Sequence, residues 1–210
     1  MLEQIVFFLP GILLGLTLHE FCHAFCAWKL GDNTARDQGR VTLNPIKHID
    51  LIGFIFIVFA GFGWAKPVQF NPENLKNPRR DKALIAAAGP FSNLILGIIL
   101  CLCVKAMESY YLTSGSVPSS FIQQLYLVTY FAASINFGLF IFNLLPIPPL
   151  DGSHIVFSGL NISLETEEKI RSIGMPVLFL IIIIQNYAKI TIIPIGQAIG
   201  ALMKFFIGHG

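Results

Sequence analysis

The stretch from about Ile5 to Leu30 constrains this chain more than any other feature. It is apolar over the roughly 20 residues that a bilayer-spanning helix needs. Yet it carries His19, Glu20 and His23. Ionisable groups inside lipid are costly, and chains that keep them there use them. The local order is His19-Glu20-Phe21-Cys22-His23, an H-E-x-x-H pattern. On a helix, residues four apart are offset by about 40° and about 6 Å along the axis, so both imidazoles face one way. That spacing suits two nitrogens on one Zn²⁺, with Glu20 beside them to handle water. An accidental match is a fair reading in a soluble helix, but it explains little in a lipid-compatible one.

The rest of the chain agrees with lipid as its solvent. Of its 210 residues 54% are hydrophobic and only 12% charged, where a soluble domain is about 25% charged. This excludes an ordinary soluble domain, a disordered chain and a nucleic-acid binder. Four cysteines, two of them close together at Cys101 and Cys103 and two on one helix at Cys22 and Cys26, do not form a disulfide framework. The first run lacks the basic start and small-residue cleavage site of a signal peptide, with Glu3 near its beginning. Further spans are expected at about Lys82–Met107, Phe121–Leu145, Ile173–Tyr187 and Ile190–Phe206, the last two joined as a hairpin around Asn186 to Lys189. The run from about Ile49 to Trp64 is short for a span and suits a re-entrant segment. Trp64 to Phe70 alternates partly, as a short strand does, and Pro67 places it at an edge. An unwound polypeptide segment could add to such an edge. The predicted fold is therefore an all-α polytopic membrane protein forming a single domain over residues 1–210. It has about five transmembrane helices, a re-entrant segment and a short β-strand or hairpin element.

Lys and Arg set the orientation. Lys29, Arg36, Arg40 and Lys47 lie in one loop and Lys66, Lys76, Arg79, Arg80 and Lys82 in another, while the loop from about Glu108 to Ser120 has neither Lys nor Arg. All basic loops share one face if the Ile49–Trp64 run enters and leaves by the same side. That face is then cytoplasmic.

A hydrolytic zinc takes three protein ligands and keeps one position open. Asp151 is the candidate third ligand. It follows Pro146, Pro148 and Pro149, which break the fourth long helix where the chain can turn back inward. Irregular backbone at membrane depth is tolerated only inside protein or beside a water-filled cavity. Its bland reading is a helix N-cap at the interface. Gly89, Pro90 and Asn93 lie in the first turns of the Lys82–Met107 helix, where Gly89 permits close helix approach. Asn93 and Asn143 are candidates for holding a substrate backbone or an oxyanion, and Asn136 reads as an interhelical hydrogen-bonding amide. His154, three residues after Asp151, is an alternative ligand. Cys22 and Cys26 read as small helix residues, and His48 as an interface or supporting residue.

Together these residues resemble the site-2 protease family of intramembrane zinc metalloproteases. The resemblance rests on His19-Glu-x-x-His23, Gly89-Pro-x-x-Asn93 and Asn143-x-x-Pro-x-Pro-x-x-Asp151-Gly152. It extends to Arg40-Val-Thr-Leu-Asn-Pro45 and Gly63-Trp-Ala-Lys-Pro67, as in short bacterial members. It implies one zinc per chain held by His19, His23 and Asp151, Glu20 as acid and base, and Asn143 with Asn93 assisting substrate or oxyanion binding. The implied partner is a transmembrane protein substrate in the lipid bilayer, and the oligomeric state stays open. No PDZ or CBS domain is expected, nor a helix before the H-E-x-x-H span. The rival class is a non-catalytic membrane protein, either a pseudoprotease adaptor or a metal transporter. A transporter needs a polar path across the whole membrane, and the polar residues here gather near one leaflet.

Overall fold

Helix is the one open-chain structure that satisfies its own backbone in lipid, and the apolar runs of this chain become helices. A computed structural model describes residues 2–60, 63–187 and 191–208. The helices are α1 (Leu2–Lys29), α2 (Thr34–Asp37), α3 (Leu51–Ala60), α4 (Pro78–Ser114), α5 (Ser120–Asn143), α6 (Asp151–Gly159), α7 (Leu164–Tyr187) and α8 (Ile195–Ile207). Among the described residues, three are long and apolar enough to cross a membrane: Ile5–Lys29 within α1, then α4 and α5. These three pack on one another, and α6 lies against α4.

The burial pattern reverses that of a water-soluble bundle. Large apolar side chains such as Ile95, Ile99 and Leu102 of α4 point outward and are more than half exposed. The inward faces hold small and polar groups, among them Ala24 and His19 on α1, Ser92 and Asn93 on α4, and Ala133 and Asn136 on α5. Lipid tails are as apolar as leucine, so burying leucine gains little there, while small residues let helices approach and polar groups find partners. The larger apolar cluster lies away from the polar centre, where Cys101, Val104, Ala133, Phe137, Met203 and Ile207 join α4, α5 and α8, and a smaller one gathers Ala27, Leu75 and Ile85.

Three helices of spanning length stand against the five or so expected from sequence. α7 begins at Leu164, well before the expected Ile173, because Lys169 pairs with Glu165 and Arg171 with Glu167 one turn apart, each at 2.6 Å. Its charge-free part, residues 172–187, is short for a crossing, and α8 has only 13 residues. The turn expected between them includes residues 188–190, which lie outside the described residues. The expected strand is also corrected. Among the described residues there is no sheet, only an isolated antiparallel bridge between Ile49 and Ala65. Lys66 N–H donates to the His48 carbonyl at 2.8 Å beside it. Pro67 has no N–H to extend a ladder, and the next donor, on Val68, goes to Glu20 instead. The bridge brings together the two ends of the excursion that contains α3. Ten residues of helix reach about 15 Å, too little to cross.

A polar clasp fastens α7. Glu167 is buried and accepts from Lys82 of α4 and, at 2.6 Å, from Arg171 of its own helix. These two cations hold its carboxyl below the usual range despite the opposing effect of burial. Arg171 Nη2 also donates to Nδ1 of His154 on α6 at 2.8 Å, which requires a bare lone pair on that nitrogen. Burial first, then the charges of Arg171 and Lys82, push the pKa of His154 down from 6.5 to about 4. The unfolded chain therefore takes a proton here below about 6.5, while the folded chain resists until about 4. Stability falls as pH drops through that window. Thermal unfolding in detergent should show a midpoint that declines between about pH 6.5 and about pH 4, with a shallower decline in His154→Gln. Identical slopes would remove His154 as a source of the effect.

Candidate metal centre

His19 and His23 lie one turn apart on α1, and their buried rings meet edge to face with centroids 4.5 Å apart. The chain returns to them through the proline-rich turn after α5. Leu150 N–H closes that turn onto the Ile147 carbonyl at 2.9 Å, and α6 starts at Asp151. Gly152 is needed at this bend, since a Cβ there would strike the backbone of Leu144 and Leu145. The result places Asp151 Oδ2 3.1 Å from His19 Nε2 and 3.4 Å from His23 Nε2. The two Nε2 atoms are 2.9 Å apart. These three residues form a ligand group whose atoms all lie within 4.8 Å of one another.

The outer nitrogens explain why this cluster fits a cation. His19 Nδ1 meets Asn93 Oδ1 at 2.7 Å, and His23 Nδ1 meets the Ile85 carbonyl at 2.7 Å. A carbonyl oxygen only accepts, so each Nδ1 carries the proton. The Asn93 oxygen is identified by its nitrogen, which donates to the Gly15 carbonyl at 3.0 Å and to Asn136 Oδ1 at 2.9 Å. Asn136 in turn donates to the Ala132 carbonyl at 2.8 Å. In neutral rings both Nε2 atoms are then bare lone pairs aimed at each other and at a carboxylate oxygen. Three acceptors at such distances repel unless a cation joins them, and two imidazoles with one carboxylate suit zinc. Gly89 of α4 closes the same space. A Cβ on it would fall 2.6 Å from His19 Nε2 and nearer still to His23 Nε2.

Glu20 is buried beside the pair, with Oε2 accepting from Val68 N–H at 3.0 Å and Arg40 Nη2 3.9 Å away. Arg40 donates to the carbonyls of Lys66 and Pro67 at 2.5 and 3.2 Å. Those groups of the 64–70 segment are thus already bonded and not open to an added strand.

His19, His23 and Asp151 come together, with Glu20 beside them on α1. Asn93 lies with them, fully buried, its oxygen bonded to His19 and its nitrogen to Gly15 and Asn136. Asn143 donates within its own helix to the Leu139 carbonyl at 3.0 Å. His154 faces Arg171 and is not in the ligand group. Cys22 and Cys26 are free thiols outside it. Two contributors went unread in the sequence. The Ile85 carbonyl has no side-chain signature at all. Arg40 counts there only as a loop charge, although its place in the Arg40–Pro45 motif was a signal.

The sequence model of peptidase family M50 matches residues 7–125 and 111–185, which contain every residue of this centre. The chain belongs to peptidase family M50, the site-2 protease family. It is 44% identical over 145 residues to "Putative zinc metalloprotease YwhC" of Bacillus subtilis, covering 69% of this chain and 65% of that relative. It is 32% identical over 161 residues to "Putative zinc metalloprotease Rip2" of Mycolicibacterium smegmatis, covering 73% of this chain and 57% of the relative. The Mycobacterium tuberculosis protein of the same name is 31% identical over 153 residues, covering 70% and 54%. The chain thus spans less than two thirds of the length of these curated relatives. No solved structure gives a significant match. Membership of M50 and three long apolar helices make this an integral membrane protein.

Removing the outer partner of a zinc-bound imidazole typically costs about 10- to 100-fold in metal affinity. Asn93→Ala should weaken zinc by that factor in chelator competition. Gly89→Ala, which puts a methyl group into the space the ion needs, should leave the purified protein with far less than stoichiometric zinc. Full zinc in Gly89→Ala would mean that the ion sits elsewhere.

Proposed function

We propose that this M50 member is a zinc-dependent intramembrane endopeptidase, cleaving peptide bonds in or near transmembrane segments of other membrane proteins. The observation that carries this reading is the convergence of His19, His23 and Asp151 within 4.8 Å, next to buried Glu20, with both histidines and Glu20 on a helix long and apolar enough to cross a membrane. His19, His23 and Asp151 hold one zinc per chain. Zinc, when bound, supplies Lewis acidity that makes water more acidic and a peptide carbonyl more electrophilic. Glu20 takes the proton from the attacking water and returns it to the departing amine. Asn93 holds the His19 ring, and Asn143 is the candidate for a substrate backbone. A substrate helix hides its carbonyls in its own hydrogen bonds, so the segment unwinds locally before it is cut.

In the membrane, α1, α4 and α5 cross, α3 enters and returns by the same side, and the apolar part of α7 with α8 is embedded beside them. The centre lies near the cytoplasmic leaflet of the bacterial inner membrane, a reading that the basic loops support.

The direct test is Glu20→Gln. Zinc content should match the parent, while cleavage falls by at least about 10²-fold. Mass spectrometry of membrane fragments from cells carrying parent or Glu20→Gln protein reads this without knowledge of the substrate. Fragments that persist in Glu20→Gln would overturn the peptidase reading. Full zinc with no Glu20-dependent fragment in the parent would favour a non-catalytic metal protein.

A further inference from the structure

Arg40 is a buried charge that holds no part of the zinc ligand set. It is 4% exposed and lies in the loop between α2 and α3. Its distance to Glu20, 3.9 Å, is long for an ion pair, and its hydrogen bonds go elsewhere. Nη2 and Nη1 donate to the carbonyls of two successive residues, Lys66 and Pro67. The following amide, on Val68, donates to Glu20 Oε2 at 3.0 Å.

The same segment is tied down on both sides. Upstream, Lys66 N–H bonds the His48 carbonyl at 2.8 Å. Downstream, Asn71 N–H bonds Asp32 Oδ2 at 2.8 Å. Asp32 is itself fully buried and also accepts from the Thr34 amide and hydroxyl and from Asn74 Nδ2. A run of backbone with so little regular structure has no ladder to fix its position, and these side chains do that work instead.

Burying a guanidinium is expensive unless its donors are used; here both terminal nitrogens are used, while Nε has no hydrogen-bond partner among the described residues. Its planar fork matches two carbonyls one residue apart, which the single ammonium of lysine does not. Pro67 lacks an N–H and Lys66 spends its own on His48, so Val68 carries the one backbone donor of residues 66–68 that is left for Glu20. A glutamate side chain has several rotatable bonds, and a general base misplaced by about 1 Å loses about 100-fold in rate. The Val68 amide fixes one oxygen of the carboxylate and with it the direction in which the group points.

We propose that Arg40 is a positioning residue for the reaction: it holds the backbone at Lys66 and Pro67 so that the Val68 amide fixes the Glu20 carboxylate. This rests on the peptidase reading above and adds to it a residue that acts through another.

The test uses the full-length, zinc-loaded protein in detergent. The probe is a single-span membrane protein whose fragment depends on Glu20. Arg40→Met should lower kcat by about tenfold to about a hundredfold, with KM changed by less than about twofold and zinc unchanged. Arg40→Lys should not recover the rate, whereas methylguanidinium added to Arg40→Ala should restore part of it. Val68→Pro deletes the one donor, leaves Arg40 in place, and should lower kcat in the same way. Hydrogen exchange supplies a readout without turnover: Arg40→Met should speed exchange across residues 65–71 and leave α1 unchanged.

Arg40 variants with parental kcat would overturn the proposal. So would a raised kcat, which would make the segment an obstructing cover. If Arg40→Met does not fold, parental kcat in Val68→Pro overturns it equally. If the parent shows no Glu20-dependent cleavage, the peptidase reading fails on its own, and the exchange result still decides whether Arg40 holds the segment.

Discussion

An imidazole buried in a membrane protein has two nitrogens, and both must be given something to do. Here the outer nitrogen of each ring is assigned by another helix, through Asn93 Oδ1 for His19 and the Ile85 carbonyl for His23. What remains is a pair of bare Nε2 atoms turned toward Asp151. Both partners sit on α4, eight residues apart, so they reach α1 at successive depths. Sliding α4 by one turn, about 5.4 Å, would strip both rings of their acceptors at once. The register of the two helices and the orientation of the ligands are therefore one constraint.

The same logic extends to the third long helix. Asn93 cannot hold His19 unless its own nitrogen is satisfied, and Asn136 of α5 accepts from it while donating to its own helix. A polar ladder thus runs from α5 through α4 to the ring on α1. Unpaired amides in this setting cost more than the bonds gain, so the ladder works as a set. Its surroundings are small residues, which let the helix backbones come near enough for short side chains to meet.

Much of this centre is legible in the chain itself. The i, i+4 spacing of His19 and His23 places both rings on one face, and three prolines before Asp151 announce a break where the backbone can turn inward. The long apolar runs locate α1 and α5 to within a few residues, whereas α4 begins four residues before the expected Lys82 and runs seven beyond the expected Met107. Other features lie beyond a linear reading for physical reasons. Asn93 and Asn136 are visible as amides in lipid, but which way each points depends on the helix beside it. A backbone acceptor such as the Ile85 carbonyl carries no side-chain signal. Arg40 resembles any loop cation that sets topology until its fork is seen on two carbonyls. The start of α7 is hidden because its charged first turns read as loop, whereas Glu165, Glu167, Lys169 and Arg171 pair along a helix.

The origin of the ligands has a mechanical corollary. Two come from α1, one from α6, and the groups that orient them from α4 and α5. No pair of these helices can rotate or separate without loosening the grip on the ion. On the peptidase reading, anything that makes way for a substrate therefore belongs to the periphery, and the bundle around the histidines is the fixed anvil of the centre.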